Sequence, residues 1–218
     1  MTTALLQTTY FGPVQWYQKL YRYDRCCIEQ YDSYQKQTFR NRCVIATANG
    51  LQALTVPVEH NAPCSIHNSQ LVKDLRISDH NQWRRVHWNA LQAAYSESPF
   101  FEYYADDVRS FFEQKYEFLI DFNEAIRQKI CELIDIHPQI EYTKSFLSSS
   151  TLLPPPSSLL PSLFTDFREV INAKHPLPDD DFEAKKYWQV FQHKHGFLPN
   201  LSILDLLFCM GPESVFFL

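Results

Sequence analysis

The chain has 218 residues, 45% of them hydrophobic and 15% aromatic, with 20 Lys and Arg against 25 Asp and Glu. That length suits one domain with a sizeable core, and a formal charge of −5 argues against a generic nucleic-acid coat. No stretch approaches the roughly 18 apolar residues of a membrane helix, and Met1-Thr2-Thr3-Ala4-Leu5-Leu6 lacks the basic start and apolar run of a signal peptide.

A cytoplasmic globular protein is therefore expected. With only 4 glycines there is little material for glycine-dependent phosphate loops. Cys26, Cys27, Cys43, Cys64, Cys131 and Cys209 form no C-x-x-C pair, so buried thiols are expected in place of disulfides or a structural zinc site.

In chain order, Leu5 to Phe11 reads as a strand stopped by Gly12-Pro13. Val14 to Tyr23 reads as a helix with Pro13 at its first turn, and Cys26 to Tyr31 as a second strand, together a tight parallel βαβ unit. Arg42 to Val58 holds two β-rich runs around Asn49-Gly50, a type I′ hairpin turn, and so points to a mixed sheet. Leu71 to Ile77 is a further candidate strand. Beyond residue 80 the period becomes helical: Trp83, Val86, His87, Ala90, Leu91 and Ala94 share a face. Ser98-Pro99 reads as a helix start for Phe100 to Phe112, and Asp121 or Asn123 as the cap of a third helix reaching Ile134. Residues 140–182, with their Pro/Ser-rich centre, read as an ordered excursion or lid. Glu183 to His195 is expected to be helical. Ser202 to Gly211 reads as a buried, nearly all-apolar helix with a Ser202-x-x-Asp205 capping box and a Gly-Pro stop.

The expected fold is thus a single α/β domain: a mixed sheet from the N-terminal third, helices packed over it, and a Pro-rich excursion before the C-terminal helices. Walker, G-x-G-x-x-G, G-x-S-x-G and H-E-x-x-H patterns are all missing, so no cofactor can be named. The densest polar cluster runs from Tyr34 to Arg42. Lys36, Arg40 and Arg42 lie in seven residues without an acid, and Gln37 and Asn41 between them add hydrogen-bonding groups. That composition suits a phosphate or carboxylate, while a solvated loop is the plainer alternative. His87 and Tyr95 lie two turns apart on one helix, roughly 12 Å along its axis. Histidine can move a proton near neutral pH and tyrosine can orient a ligand, although a hydrogen-bonded core histidine accounts for the position equally well. His193-x-His195 has no acid or cysteine close by to complete a metal site, so no metal is expected. Asp205 is accounted for by its capping position or by a catalytic role.

Several segments together resemble the WbqC-like family of bacterial proteins. They are Thr9-Tyr10-Phe11-Gly12-Pro13-Val14-Gln15-Trp16-Tyr17, Tyr34 to Arg42, Leu54-Thr55-Val56-Pro57, His87 to Tyr103, and Phe197 to Glu213. The resemblance implies relatives associated with surface-polysaccharide (O-antigen) genes. It also implies a role in adding a glycyl-type or other acyl group to an amino sugar on a nucleotide carrier. On that basis Lys36, Gln37, Arg40, Asn41, Arg42, Asn200, Ser202 and Asp205 are expected to bind substrate or its anionic group. His87 is then expected to take a proton from the sugar amine, and Tyr95 to orient the acyl carbonyl. The expected partner is a small molecule of the nucleotide-sugar class, with no nucleic acid, and the oligomeric state is not legible. The rival reading is a non-catalytic sugar- or partner-binding scaffold of polysaccharide assembly. An adenylate-forming enzyme is a third, without its H-x-G-H signature.

Overall fold

The computed structural model describes residues 2–59, 70–148 and 164–218. Four short strands form a parallel sheet in the order β5-β2-β1-β6, with β1 Thr3–Gln7, β2 Arg25–Glu29, β5 Ile140–Tyr142 and β6 Phe164–Asp166. Leu5 sits opposite Cys27 on one side and Asp166 on the other. The four residues Ala4 to Gln7 are all buried, as expected of a central parallel strand covered on both faces. A separate antiparallel pair, β3 Arg42–Thr47 and β4 Gly50–Thr55, turns through Ala48-Asn49 with Thr47 opposite Gly50; only Gly50 takes positive φ (+103°), so the type I′ turn expected at Asn49-Gly50 gives way to a turn one residue earlier.

The mixed α/β fold holds, with the parallel and antiparallel pairings divided between two sheets. The two outer strands of the parallel sheet come from residues beyond 139, inside the stretch read as an excursion. The Pro-rich segment 149–163, and Cys64, lie outside the described residues. Among the described residues no helix is long and apolar enough to cross a membrane.

Helix α1 (Val14–Arg22) packs on β1, β2 and the C-terminal helix. Helices α2 (Trp83–Tyr95), α3 (Phe101–Glu113) and α4 (Leu119–Leu133) follow, then α5 (Gln192–His195) and α6 (Ile203–Met210). One hydrophobic cluster runs through all of them except α5, from Leu6 and Trp16 through Phe122 to Phe208.

Five other local expectations are corrected. The strand from Leu5 ends at Gln7, because Thr8 to Pro13 serves as a buried loop whose Phe11 takes φ +39°. Leu71 to Ile77 makes a 3-10 turn, Val72–Asp74, held by single bridges Ser33–Leu71 and Val58–Ile77. Ser98 does not cap α3; its hydroxyl donates to the Tyr95 carbonyl at 2.6 Å, and α3 begins at Phe101. Helix α4 starts before Asp121, and Asn123 is fully interior. Only Gln192–His195 of the 183–195 stretch is helical.

Candidate functional site

In open parallel sheets, ligands gather outside the carboxyl ends of the strands, where connections leave in opposite directions. Here β1 connects through α1 to β2 on one side, while β6 lies on the other. The loops leaving these strand ends carry a buried ionic network. Arg168, just beyond β6, forks onto Asp166 with Nε–Oδ1 2.9 Å and Nη2–Oδ2 2.7 Å, and its Nη1 lies 3.5 Å from Glu29 Oε2. The Glu29 side chain is fully buried. Its Oε1 accepts from Thr143 Oγ1 (2.8 Å) and the Tyr31 amide (2.8 Å), and its Oε2 accepts from the Leu147 amide (2.9 Å). Burial alone would lower the Arg168 guanidinium; its bond to Asp166 and the charges of Asp166, Glu29 and Asp32 outweigh that, so its pKa rises. Arg40 pairs with Asp32, yet burial pulls its pKa down on balance, with Arg168 nearby adding to the fall.

The same end of the molecule carries buried polar atoms without a hydrogen-bond partner: Gln7 Oε1, Thr9 Oγ1, Arg40 Nε, Asn41 Oδ1 and Asn123 Oδ1. Asn123 Nδ2 meanwhile donates to the Arg40 carbonyl at 2.8 Å, tying α4 to the 36–42 loop. Thr9 and Asn123 line a small cavity of about 10 Å³, roughly the space of one water. Unpaired buried polar groups cost about 1–3 kcal/mol each, so they are uncommon away from binding sites.

Beside this network the loop opens outward. Lys36, Gln37, Asn41 and Arg42, with Tyr34 and Thr55 to Val58, line a cleft of about 350 Å³. Two cations and no acid face it. Arg42 Nε donates to Thr55 Oγ1 at 3.1 Å. Behind the same wall, His87 hydrogen-bonds the Thr55 backbone, and its Nδ1 meets Tyr10 Oη at 2.8 Å. Burial pushes the imidazole down to about 4, against the opposing effect of the Thr55 bond, so it is neutral at pH 7 with the tyrosine donating to Nδ1.

A third cluster is wholly interior. The Asp205 carboxylate accepts from Tyr95 Oη (2.8 Å) on Oδ1, and from Tyr187 Oη (2.7 Å) and Gln189 Nε2 (3.0 Å) on Oδ2. Burial raises its pKa, and the bonds from Tyr187, Tyr95 and Gln189 hold part of that rise back. Ser202 caps α6 through the Leu204 amide (3.3 Å) and donates to the Phe11 carbonyl (2.8 Å). Asn200 accepts from the Gln15 amide (2.9 Å) in the first turn of α1.

A model of the WbqC-like protein family matches residues 7–216. The chain belongs to that family. It is 26% identical over 223 residues to "Uncharacterized protein Rv1507c" of Mycobacterium tuberculosis, covering 97% of this chain and 94% of that protein. No solved structure matches.

In this WbqC-like chain the residues singled out from sequence divide into three places. Lys36, Gln37, Asn41 and Arg42 share the open cleft. Arg40 turns away from it into the ion pair with Asp32, and is 2% exposed. His87 reaches Arg42 only indirectly, through Thr55. Tyr95 and Asp205 are bonded to each other in the core, and Asn200 and Ser202 fasten the N-terminal loop to α6. The Asp205 carboxylate does not reach back to its cap residue; the Ser202 amide donates instead to the Val44 carbonyl at 2.8 Å.

Glu29, Asp32, Asp166 and Arg168 went unnoticed in the sequence, as did Lys19, which is buried on α1 and paired with Asp179 at 2.8 Å. A lone acid at a strand's carboxyl end was the available signal for Glu29. Among the described residues no cluster of three or more His, Cys, Asp or Glu is arranged to hold a metal. The thiols Cys26, Cys27, Cys43 and Cys131 are pushed up to about 11–12 by burial.

Proposed function

We propose that the protein is a transferase placing an acyl or aminoacyl group on the amine of a nucleotide-linked amino sugar, in surface-polysaccharide synthesis. The observation that carries this reading is the pairing of two sites of opposite character on one loop. Lys36 and Arg42 offer unopposed positive charge to a phosphate group in the cleft. Next to it, Arg40 and Arg168 face Glu29, Asp32 and Asp166, two cations against three acids, which leaves one negative charge in excess for an ammonium. Asp32 and Asp166 are the acids of that network that reach the surface. In the reaction a network carboxylate takes one proton from the bound ammonium, the freed amine nitrogen bonds to the acyl carbon, the bond from that carbon to its activating group breaks, and the departing group carries away the second proton.

Arg42 is the principal anion-holding residue, and Thr55 with His87 behind it positions its guanidinium. Tyr95, Asp205, Asn200 and Ser202 then support the walls without touching substrate. Thermal stabilisation tests the reading, because a ligand that binds only the folded state raises the melting temperature. Nucleotide-linked amino sugars are expected to stabilise the protein more than their non-amino counterparts, and Lys36→Ala with Arg42→Ala to abolish that difference. A protein that stays folded but gives no shift with amino sugars, acyl-CoAs or ATP would refute it and favour the scaffold role.

A further inference from the structure

A second cleft, far more aromatic, lies between α2 and α3 and has a volume of about 370 Å³. Its floor is Trp83, Trp88 and Phe112, and its rim carries Arg84, Arg85 and Arg109. Trp88 stacks on Phe101 at 5.9 Å and 25°, which fixes the indole plane. The Arg84 guanidinium lies 4.6 Å from the Trp83 ring centre, and that of Arg109 lies 6.0 Å from Trp88.

The acids of the cleft are already engaged. Asp79 takes Arg84 and Lys115, and Glu113 takes Arg109 Nε at 2.7 Å. Arg85 makes no hydrogen bond or ion pair among the described residues, and Arg84 Nε is buried without a partner. Gln82 lines the cleft, and it and Asn81 before it are two consecutive non-glycine residues at positive φ, +49° and +61°. Backbone in that region is strained and persists where surrounding structure imposes it.

Aromatic faces and guanidinium planes together accept flat heterocycles, while free guanidinium donors accept phosphate oxygens. We propose that this cleft is a binding site for a nucleoside phosphate, its base lying against Trp88 and its phosphate held by Arg85 with Arg84. The site is separate from the Lys36–Arg42 cleft and does not depend on the reaction proposed above.

Calorimetric titration tests it, with ADP as the probe and adenosine and inorganic diphosphate as partial probes, on the wild type, Arg85→Glu and Arg42→Glu. Arg85 is exposed and unbonded, so Arg85→Glu is expected to fold normally, as circular dichroism will check. ADP should bind more tightly than either fragment, and Arg85→Glu should weaken it at least about tenfold, the loss of a charge-assisted contact. Arg42→Glu removes any ADP held in the Lys36–Arg42 cleft and should leave the Arg85-dependent binding within about twofold, as distant sites behave independently. Tryptophan fluorescence should be quenched by ADP, and the quench should shrink in Trp88→Phe. ADP affinity unchanged in Arg85→Glu, or no ADP binding at all, overturns the proposal. ADP binding lost in Arg42→Glu but kept in Arg85→Glu also overturns it, and assigns the nucleotide to the other cleft.

Discussion

The Asp205 hub allows a sharp test of whether Tyr95 supports the core or acts on substrate. Tyr95→Phe removes one oxygen and leaves the ring in place, so it opens no large cavity. What it removes is one of three donors to a carboxylate that is 0% exposed and faces no cation among its hydrogen-bond partners. A hydrogen bond to a charged group is worth about 1.5–3 kcal/mol, which for a chain of this size is about 3–12 °C in melting temperature.

The loss has a defined pH dependence. Burial already raises the folded-state pKa of Asp205, so this group adds stability below its unfolded value and withdraws it as pH rises through the folded one. Losing the Tyr95 bond, which opposes the rise, moves the folded pKa further up. The variant's deficit therefore grows toward higher pH, as more of the carboxylate is ionised, and shrinks toward acid. Urea unfolding of wild type, Tyr95→Phe, Asp205→Asn and the double variant at pH 7 and pH 4.5 measures both features. A Tyr95→Phe deficit below about 0.5 kcal/mol, the ordinary scatter of surface changes, would refute the reasoning. So would an equal deficit with and without Asp205.

Four further outcomes are expected. His87 is depressed to about 4 by burial, so its contribution is complete above the unfolded value near 6.5 and is lost as pH falls from there toward 4; the full span is about 3 kcal/mol, His87→Gln should flatten it, and NMR should find an imidazole that does not titrate above pH 5.5. Arg168→Met strands the fully buried Glu29 carboxylate with only neutral donors and should cost about 3 kcal/mol in urea unfolding, the low end for a broken buried pair. Gly211→Ala places a methyl 2.5 Å from the Phe100 ring at φ +55°, so overpacking and left-handed strain together predict about 2–5 kcal/mol by the same assay. Thr55→Ala should weaken binding of a nucleotide-linked amino sugar by about tenfold or less while leaving stability nearly unchanged, because it frees Arg42 from one hydrogen bond without removing its charge; an affinity as low as that of Arg42→Ala would mean that Thr55 itself touches the ligand.

Elements whose signals are local were legible in the sequence. The β3–β4 hairpin forms where Asn49-Gly50 marked it, one residue off in register, with Gly50 at positive φ as β4 begins; α1 needs an extended residue at its start, and Pro13 supplies that at φ −68°. Elements ended by distant contacts were not. Thr8 to Phe11 is as β-prone as Leu5 and Leu6, but the Tyr10 amide donates to the Phe39 carbonyl and the Phe11 carbonyl accepts from Ser202, so the strand stops where partners from elsewhere take over. Leu71 to Ile77 fails as a strand for the same reason: its amides find Gln30 and Asp32 carbonyls one at a time, with no neighbouring strand to continue a ladder.

The site was legible only on one side. A polar loop between a strand and a hairpin announces itself, and its Lys36, Gln37, Asn41 and Arg42 line the open cleft. Nothing local distinguishes Arg40 from Arg42, yet the alternation of a turn sends one into solvent and the other toward Asp32. The carboxyl ends of parallel strands collect loops that are far apart in the chain, so Glu29 meets Arg168 across 139 residues and no window of sequence contains both. His87 lies behind Thr55, Thr55 beside Arg42, and Arg42 alone of the three carries charge into the cleft. In the proposed function, the physical order of that chain, from buried neutral ring to exposed cation, separates Arg42 as the proposed binding residue from Thr55 and His87 as its supports.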